Sequence, residues 1–387
     1  MTTDHPTTEV QATVCSNDSK LFLSLELSKS AWLVTVSTPG SDKFSKHVVT
    51  GGDSDGLLRL LDRLRRAAER RMGTPVQVVA IQEAGLDGFW IHRLLENNEI
   101  DSRVVDAASI AVDRRHRRAK TDAIDGATLL RTLMAWARGE RRVCSIVRPP
   151  SPDEEDRRRL TRERGTLIKE RIQHTNRIKG LLFGQGVAVY DPLHKDRLAR
   201  LDALKTGDGR LLPERLKAQI RREIERLDLV SSQIATVEHE RDALAKTTSD
   251  AEPQTAAAML ARLKGIGAEF SSLIWLEALF RSFANRRQIA AYAGLAPSPW
   301  QSGGTDREQG ISKSGNRRLR RAMIELVWFW LRHQPDSALS IWFRARVGQV
   351  RGRVRRIAIV ALARKLLVAL WRYATQGVVP QGAVLKA

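Results

Sequence analysis

The sequence predicts a mixed α/β domain followed by an all-α half. Three observations carry this. Three apolar runs follow one another near the start, further apolar strands then alternate with amphipathic helices, and beyond Arg148-Pro149-Pro150 the chain changes to long charged helices.

Residues 1–19 are rich in Thr, Asp and Ser and hold too few large apolar side chains to order themselves, so a disordered tail is expected. Leu21 to Leu27 and Ala31 to Val36 read as strands joined by a turn at Ser28-Lys29-Ser30, with Lys43 to Thr50 a third. An amphipathic helix through Leu57, Leu58, Leu61 and Leu64 leads to a buried-type strand, Pro75 to Ile81, with Glu83 directly after it. A helix from about Gly88 to Asn97, a strand at Ser102 to Val105 and a helix opening at Asp122 complete the unit. A three-strand meander followed by helices and parallel-type strands is the order of a ribonuclease-H-like sheet.

Ser151-Pro152-Asp153-Glu154 is a capping box with proline at the first helical position, and it opens a helix whose apolar residues run from Leu160 to Leu181. A second long helix is expected from about Leu212 to Leu244, and the pair suggests a helical hairpin or coiled coil. Met259 to Gly267, with its Gly265-Ile266-Gly267 turn, reads as a helix-hairpin-helix that offers backbone amides to a phosphate. A short helix near Arg286 to Tyr292, a loop from Gly294 to Gly304, a Trp-bearing helix after Ile311 and a basic helix from about Arg351 to Tyr373 close an all-helical end.

Lys plus Arg number 65 and Asp plus Glu 44, a formal net charge of +21. That excess points to polyanions, and nucleic acid is favoured over membrane because no apolar run approaches the roughly 20 residues a spanning helix needs. No apolar stretch follows the N-terminus as in a signal peptide, so a cytoplasmic, nucleoid-associated protein is expected. Cys15 and Cys144 are the only cysteines, which excludes a disulfide framework and a cysteine-built zinc site.

Asp122 and Asp125 stand three apart at a helix start, on one face, after the basic run Arg114, Arg115, Arg117, Arg118 and Lys120. Carboxylates at that spacing can share an ion, although a solvated helix start has the same pattern. Glu26 in the first strand and Glu83 at the end of the fourth supply two more acids that one sheet edge can gather into a metal site.

Glu83-Ala84-Gly85, Lys120-Thr121-Asp122 with Asp125, Gly265-Ile266-Gly267, Gly294-Leu295-Ala296-Pro297, Ser302-Gly303-Gly304 and Ile311-Ser312-Lys313-Ser314-Gly315-Asn316 occur in this order. Together they resemble the DEDD transposases of insertion sequences, the IS110 group, over roughly 21–133 and 260–327. The resemblance implies a RuvC-like domain whose Glu26, Glu83, Asp122 and Asp125 bind magnesium, as one ion or two, and a transposase domain whose Ser302 is the nucleophile. The first acid departs from the pattern, since Glu26 stands where the family name has Asp. It further implies a bridge-RNA-guided recombinase acting on element ends and target DNA; because strand exchange needs several cuts held together and the long helical pair offers a seam, a homodimer assembling to a tetramer on DNA is expected. Arg114, Arg115, Arg117, Arg118, Lys120, Lys264, Gly265, Gly267, Lys313, Arg317 and Arg318 would contact nucleic acid.

The domains expected are a tail at 1–19, a RuvC-like DEDD domain at 20–147, a helical linker at 148–250 and a helical transposase domain at 251–387. Two other readings remain open at this point: a RuvC-like endonuclease or junction resolvase using metal-activated water, and a non-catalytic nucleic-acid-binding protein.

Overall fold

The computed structural model describes residues 19–41, 43–85, 88–110, 122–251, 255–302, 305–348, 350 and 352–386, without the side chains of 108, 122–124, 248–251, 298–302 and 305–309. The chain divides into two compact units, Met1–Pro149 and Pro150–Ala387.

In the first unit, β1 (Lys20–Leu27), β2 (Ala31–Ser37) and β3 (Phe44–Thr50) form the antiparallel meander. There follow α1 (Ser54–Met72), β4 (Gln77–Glu83), α2 (Trp90–Glu96), β5 (Asp101–Val105), α3 (Asp122–Ala137) and the short β6 (Ile146–Val147). The sheet order is β3-β2-β1-β4-β5-β6, with β1, β4 and β5 mutually parallel. Strand alternation separates two cores. Leu21, Leu23 and Leu25 of β1 pack with Leu57 and Leu61 of α1 on one face. On the other, Phe22, Val79 and Ile81 meet Leu129, Leu130 and Leu133 of α3. Strand β4 is therefore apolar on both sides, which is why it reads as a continuous run.

The second unit begins with α4 (Pro152–Phe183), whose capping box forms as expected: Glu154 N donates to Ser151 Oγ at 3.1 Å and Ser151 N to Glu154 Oε2 at 2.8 Å. After α5 (Arg197–Ala203), α6 (Glu214–Ala251) returns against α4 along Ile178, Leu182, Ile220, Ile224 and Leu227. The remainder is α7 (Ala256–Ala261), α8 (Ala268–Ile274), a π-helical turn at Trp275–Leu279, α9 (Arg286–Tyr292), β7 (Pro297–Ser302), β8 (Thr305–Ile311), α10 (Arg317–His333), α11 (Ala338–Val347) and α12 (Arg353–Gln376). These helices share one core centred on Trp330, Leu362 and Leu366.

The structure corrects the expected all-helical end in one respect. The segment from Gly294 to Gly304 is not wholly a loop: Pro297–Ser302 pairs antiparallel with Thr305–Ile311 as a two-stranded ribbon. Its prolines are tolerated because both strands of an isolated pair are edges, and the register shifts between Pro297 and Pro299. Helices α5 and α11 and strand β6 are further elements that periodicity did not reveal.

Between α4 and α6, the buried Glu223 carboxylate receives His174 Nδ1 at 2.7 Å, Arg177 Nη1 at 3.1 Å and Arg226 Nη1 at 2.6 Å. Burial pushes this carboxyl up, but the hydrogen bonds from His174 and Arg177 and the Arg177 and Arg226 charges bring it below its ordinary 4.5. A depressed folded pKa adds stability above the unfolded value and loses it as pH falls through the folded one. Wild-type protein should therefore lose stability below about pH 4.5 partly through this site. Glu223→Gln should be less stable than wild type near pH 7 and closer to it at pH 3.5, as read by urea unfolding at the two pH values.

Candidate active site

The last paired positions of the parallel strands are Leu25 of β1 and Gln82 of β4. The next residues along are Glu26 and Glu83, so the two acids continue adjacent strands at their C-terminal ends. Alternation assigns both to the α3 face, with Ser24 and Ile81 two residues earlier. Helix α3 runs across that face. Ser24 Oγ donates to the Gly126 carbonyl at 2.7 Å, a buried bond linking residues 102 apart in sequence. A Cβ at Gly126 would lie 2.7 Å from Thr35 Oγ1 and 3.6 Å from Glu26 Cγ. The start of α3 is therefore seated directly beside Glu26. Leu129, Leu130 and Leu133 face the sheet with Gly126, and helical positions 122 and 125 extend that stripe by one turn toward the strand ends.

Glu26 and Glu83 thus stand at the ends of adjacent strands, and the start of α3 lies beside Glu26. Among the described residues no three His, Cys, Asp or Glu side chains converge closely enough to hold an ion. The side chain of Asp122 lies outside the described residues, as do Thr121 and Arg114, Arg115, Arg117, Arg118 and Lys120 of the basic run. The donors nevertheless fit a hard divalent cation in chemistry, since all are carboxylate oxygens. In place, the described side chains of Glu26, Glu83 and Asp125 do not converge on one point, while Gly126 lets the helix start approach Glu26. Beneath it, the fully buried Thr35 Oγ1 has no hydrogen-bond partner among the described residues.

Ser302 closes β7, opposite Thr305. Its side chain and residues 303–304 lie outside the described residues. The base of this ribbon is fixed by backbone contact between the segments on either side of it. Ser312 N donates to Ala296 O at 2.9 Å, Lys313 N to Gly294 O at 3.2 Å and Asn316 N to Tyr292 O at 2.7 Å. Gly294 and Gly315 have φ of +65° and +85°, and a Cβ on them would stand 2.0 Å from Ser314 O and 2.3 Å from Tyr292 O. Only glycine fits both the conformation and the space.

Asn316 completes this clamp. Its Oδ1 accepts from Arg318 N and Leu319 N, both at 3.0 Å, and so caps α10. Its Nδ2 donates to Glu277 Oε2 at 2.9 Å. Glu277, 2% exposed in the π-helical turn, also receives Arg162 Nε of α4 at 3.3 Å, and its carbonyl accepts Tyr292 Oη at 2.8 Å. Arg158, buried, donates Nε to Leu276 O at 2.9 Å and lies 3.6 Å over the Phe280 ring. Glu277 and Arg158 were missed from the sequence, where the available signal was a lone acid inside an apolar stretch.

The remaining expected contact residues are divided. Lys313, Arg317 and Arg318 are exposed around the clamp, Lys313 at φ +57°. Gly265, at φ +89°, packs on His333, and the Lys264 amide donates to Val384 O at 3.0 Å. Lys386 Nζ donates to Ala261 O and Ile266 O at 2.6 and 2.7 Å, so the C-terminal segment braces this turn. Gly267 caps α8 without a side chain and is exposed.

A mixed sheet with acids at the ends of its parallel strands, followed in the chain by a helical unit bearing a serine ribbon, is the construction of a DEDD-type transposase. Family models agree: one described as Transposase, DEDD_Tnp_IS110, matches residues 28–185, and one described as Transposase IS116/IS110/IS902 family matches residues 253–340. A protein of Sinorhizobium fredii (strain NBRC 101917 / NGR234), provisionally described as transposase y4rJ, is 56% identical over 375 residues, 95% of this chain and 94% of that protein. The transposase for insertion sequence element IS1328 of Yersinia enterocolitica is 27% identical, over 60% of this chain and 67% of that one. The transposase for insertion sequence element IS1111A of Coxiella burnetii (strain RSA 493 / Nine Mile phase I) is 28% identical over 60% and 62%. The chain belongs to the IS110 family of insertion-sequence transposases, and it is an enzyme of DNA strand transfer.

Two expectations follow from the glycine and clamp contacts. Alanine at 126 would gain about 1 kcal/mol of helix propensity but meet the stiff Thr35 hydroxyl at a cost of about 1–3 kcal/mol. Gly126→Ala should thus lower the melting temperature in wild-type background and raise it in a Thr35→Ala background. Asn316→Ala should cost about 2–4 kcal/mol in chemical denaturation, from the lost cap and the donor withdrawn from Glu277. Asn316→Asp, an equally good cap, should also destabilise, because it sets a second carboxylate against Glu277.

Proposed function

We propose that this transposase cleaves and rejoins DNA through a serine nucleophile, Ser302, with magnesium held by Glu26, Glu83, Asp122 and Asp125. The observation that carries the reading is the seating of α3 by Ser24 and Gly126, which brings its first turn to the strand end holding Glu26. A cation bound there would neutralise the non-bridging oxygens of the phosphodiester and so admit an incoming oxygen nucleophile. Glu26 supplies the same oxygen donors as the shorter Asp of the family pattern, one methylene further from its backbone.

In the serine step, Ser302 Oγ bonds to phosphorus while one P–O ester bond breaks, and the departing DNA hydroxyl takes up the serine proton. The covalent link keeps the ester energy, so attack by another DNA hydroxyl reseals the backbone and releases serine. Placing Ser302 at the tip of a ribbon lets it approach a phosphate closely, and the Gly294–Gly315–Asn316 clamp orients that ribbon. Magnesium as the ion, whether one or two are held, and the bridge RNA that guides both DNA partners belong to this reading by family resemblance, and a homodimer assembling to a tetramer belongs to it because strand exchange holds several cuts together. A coiled-coil role for α4 and α6 and a helix-hairpin-helix role for α7 and α8 belong to it by their sequence pattern.

The test incubates purified protein with labelled element ends, guide RNA and magnesium and looks for a protein–DNA adduct on a denaturing gel. Wild type should form it, Ser302→Ala should not, and Asp125→Asn should lower recombination on the order of 10²-fold or more. An adduct from Ser302→Ala sinks the nucleophile. Cleaved ends without an adduct would identify a metal-activated water, as in a resolvase.

A further inference from the structure

After Asp336 the chain has ten Lys and Arg and no Asp or Glu, so this last stretch supplies nearly half of the net charge of +21. Half of those cations stand at the end of α11 and the start of α12. The last turn of α11 exposes Arg344 and Arg346, and the first five residues of α12, Arg353 to Ile357, are all exposed before burial begins at Ala358. At 1.5 Å per residue, about 7.5 Å of helix stands clear of the core. The Arg355 guanidinium lies 5.4 Å over the Trp328 ring of α10, which is itself 47% exposed. Among the described residues none of Arg344, Arg346, Arg353, Arg355 and Arg356 forms an ion pair. The nearest acid along the outer side of α10, Glu325, is taken by Arg321 at 2.8 Å. Exposed Val354 and Ile357, at 47% and 59%, interleave with these cations.

We propose that this surface of α10, α11 and α12 is a docking site for duplex DNA, with the start of α12 in the major groove. Charge complementarity fixes the partner as a polyanion, since five exposed guanidiniums at the end of α11 and the start of α12 have no acid paired to them among the described residues. Shape selects the duplex. A helix 10–12 Å across fits the major groove of B-form DNA, about 12 Å wide, whereas the A-form RNA groove is too deep and narrow to admit it. Val354 and Ile357 offer apolar contact to thymine methyls beside arginines that bind phosphates. The inference rests on the family reading that the chain acts on DNA, but not on Ser302 or the acids.

Fluorescence anisotropy of the full chain with a labelled 30-base-pair DNA duplex, without divalent cations so that no strand is cut, tests it. Combined Arg353→Ala, Arg355→Ala and Arg356→Ala should weaken binding at least about tenfold at 0.1 M salt and flatten the salt slope by about 2 to 3. The matching lysine substitutions should keep most of the slope, because they keep the charge. Unchanged DNA affinity in the alanine variant, a loss confined to an RNA duplex of the same sequence, or a slope lost equally in the lysine variant would overturn the proposal. Adduct formation is read separately, so failure of the serine chemistry leaves this result standing.

Discussion

Helix α3 lies on its sheet as closely as it does because residue 126 has no side chain. The Gly126 carbonyl accepts the Ser24 hydroxyl, and Thr35 occupies the space a Cβ would need. That contact sets the height and phase of the helix. With the phase fixed, Leu129, Leu130 and Leu133 fall into the core and positions 122 and 125 lie on the same stripe one turn earlier. The start of α3 is brought beside Glu26 by a packing contact at the next turn of the helix.

The second unit uses the same device twice. Gly294 and Gly315 allow two chain segments to touch through their backbones, and the ribbon ending in Ser302 springs from that junction. Here a buried carboxylate is added. Glu277 ties Asn316, Tyr292 and Arg162 of α4 to one point, while Arg158 bonds the adjacent carbonyl. A buried charge of this kind is costly if any partner is lost, so it specifies one arrangement more than it adds stability. The ribbon is in consequence held by the long helix as well as by its own neighbours.

Much of the α/β unit was legible because its strands are apolar runs whose faces differ by simple alternation. Glu26 stands out only when Leu25 and Leu27 are assigned to different surroundings from it, which the pattern allowed. The ribbon was not legible: Pro297, Pro299, Gly303 and Gly304 are turn formers, and an isolated two-stranded pair has edges that accept them. Asn316 before an apolar helix is a readable cap, but its second bond to Glu277, 39 residues away, depends on tertiary packing. The charge of α12 was visible as composition; that its first five residues stand clear of the core was not, since exposure depends on where α10 and α11 stop covering it.

The central claim is that the strand ends of β1 and β4 and the start of α3 form one divalent-cation site. Anomalous diffraction from crystals soaked in Mn²⁺ tests it most directly. The account predicts a peak about 2.1 Å from carboxylate oxygens of Glu26, Glu83 and the α3 acids, lost in Asp125→Ala crystals. A peak elsewhere with that edge empty, or one retained unchanged in Asp125→Ala, would contradict it.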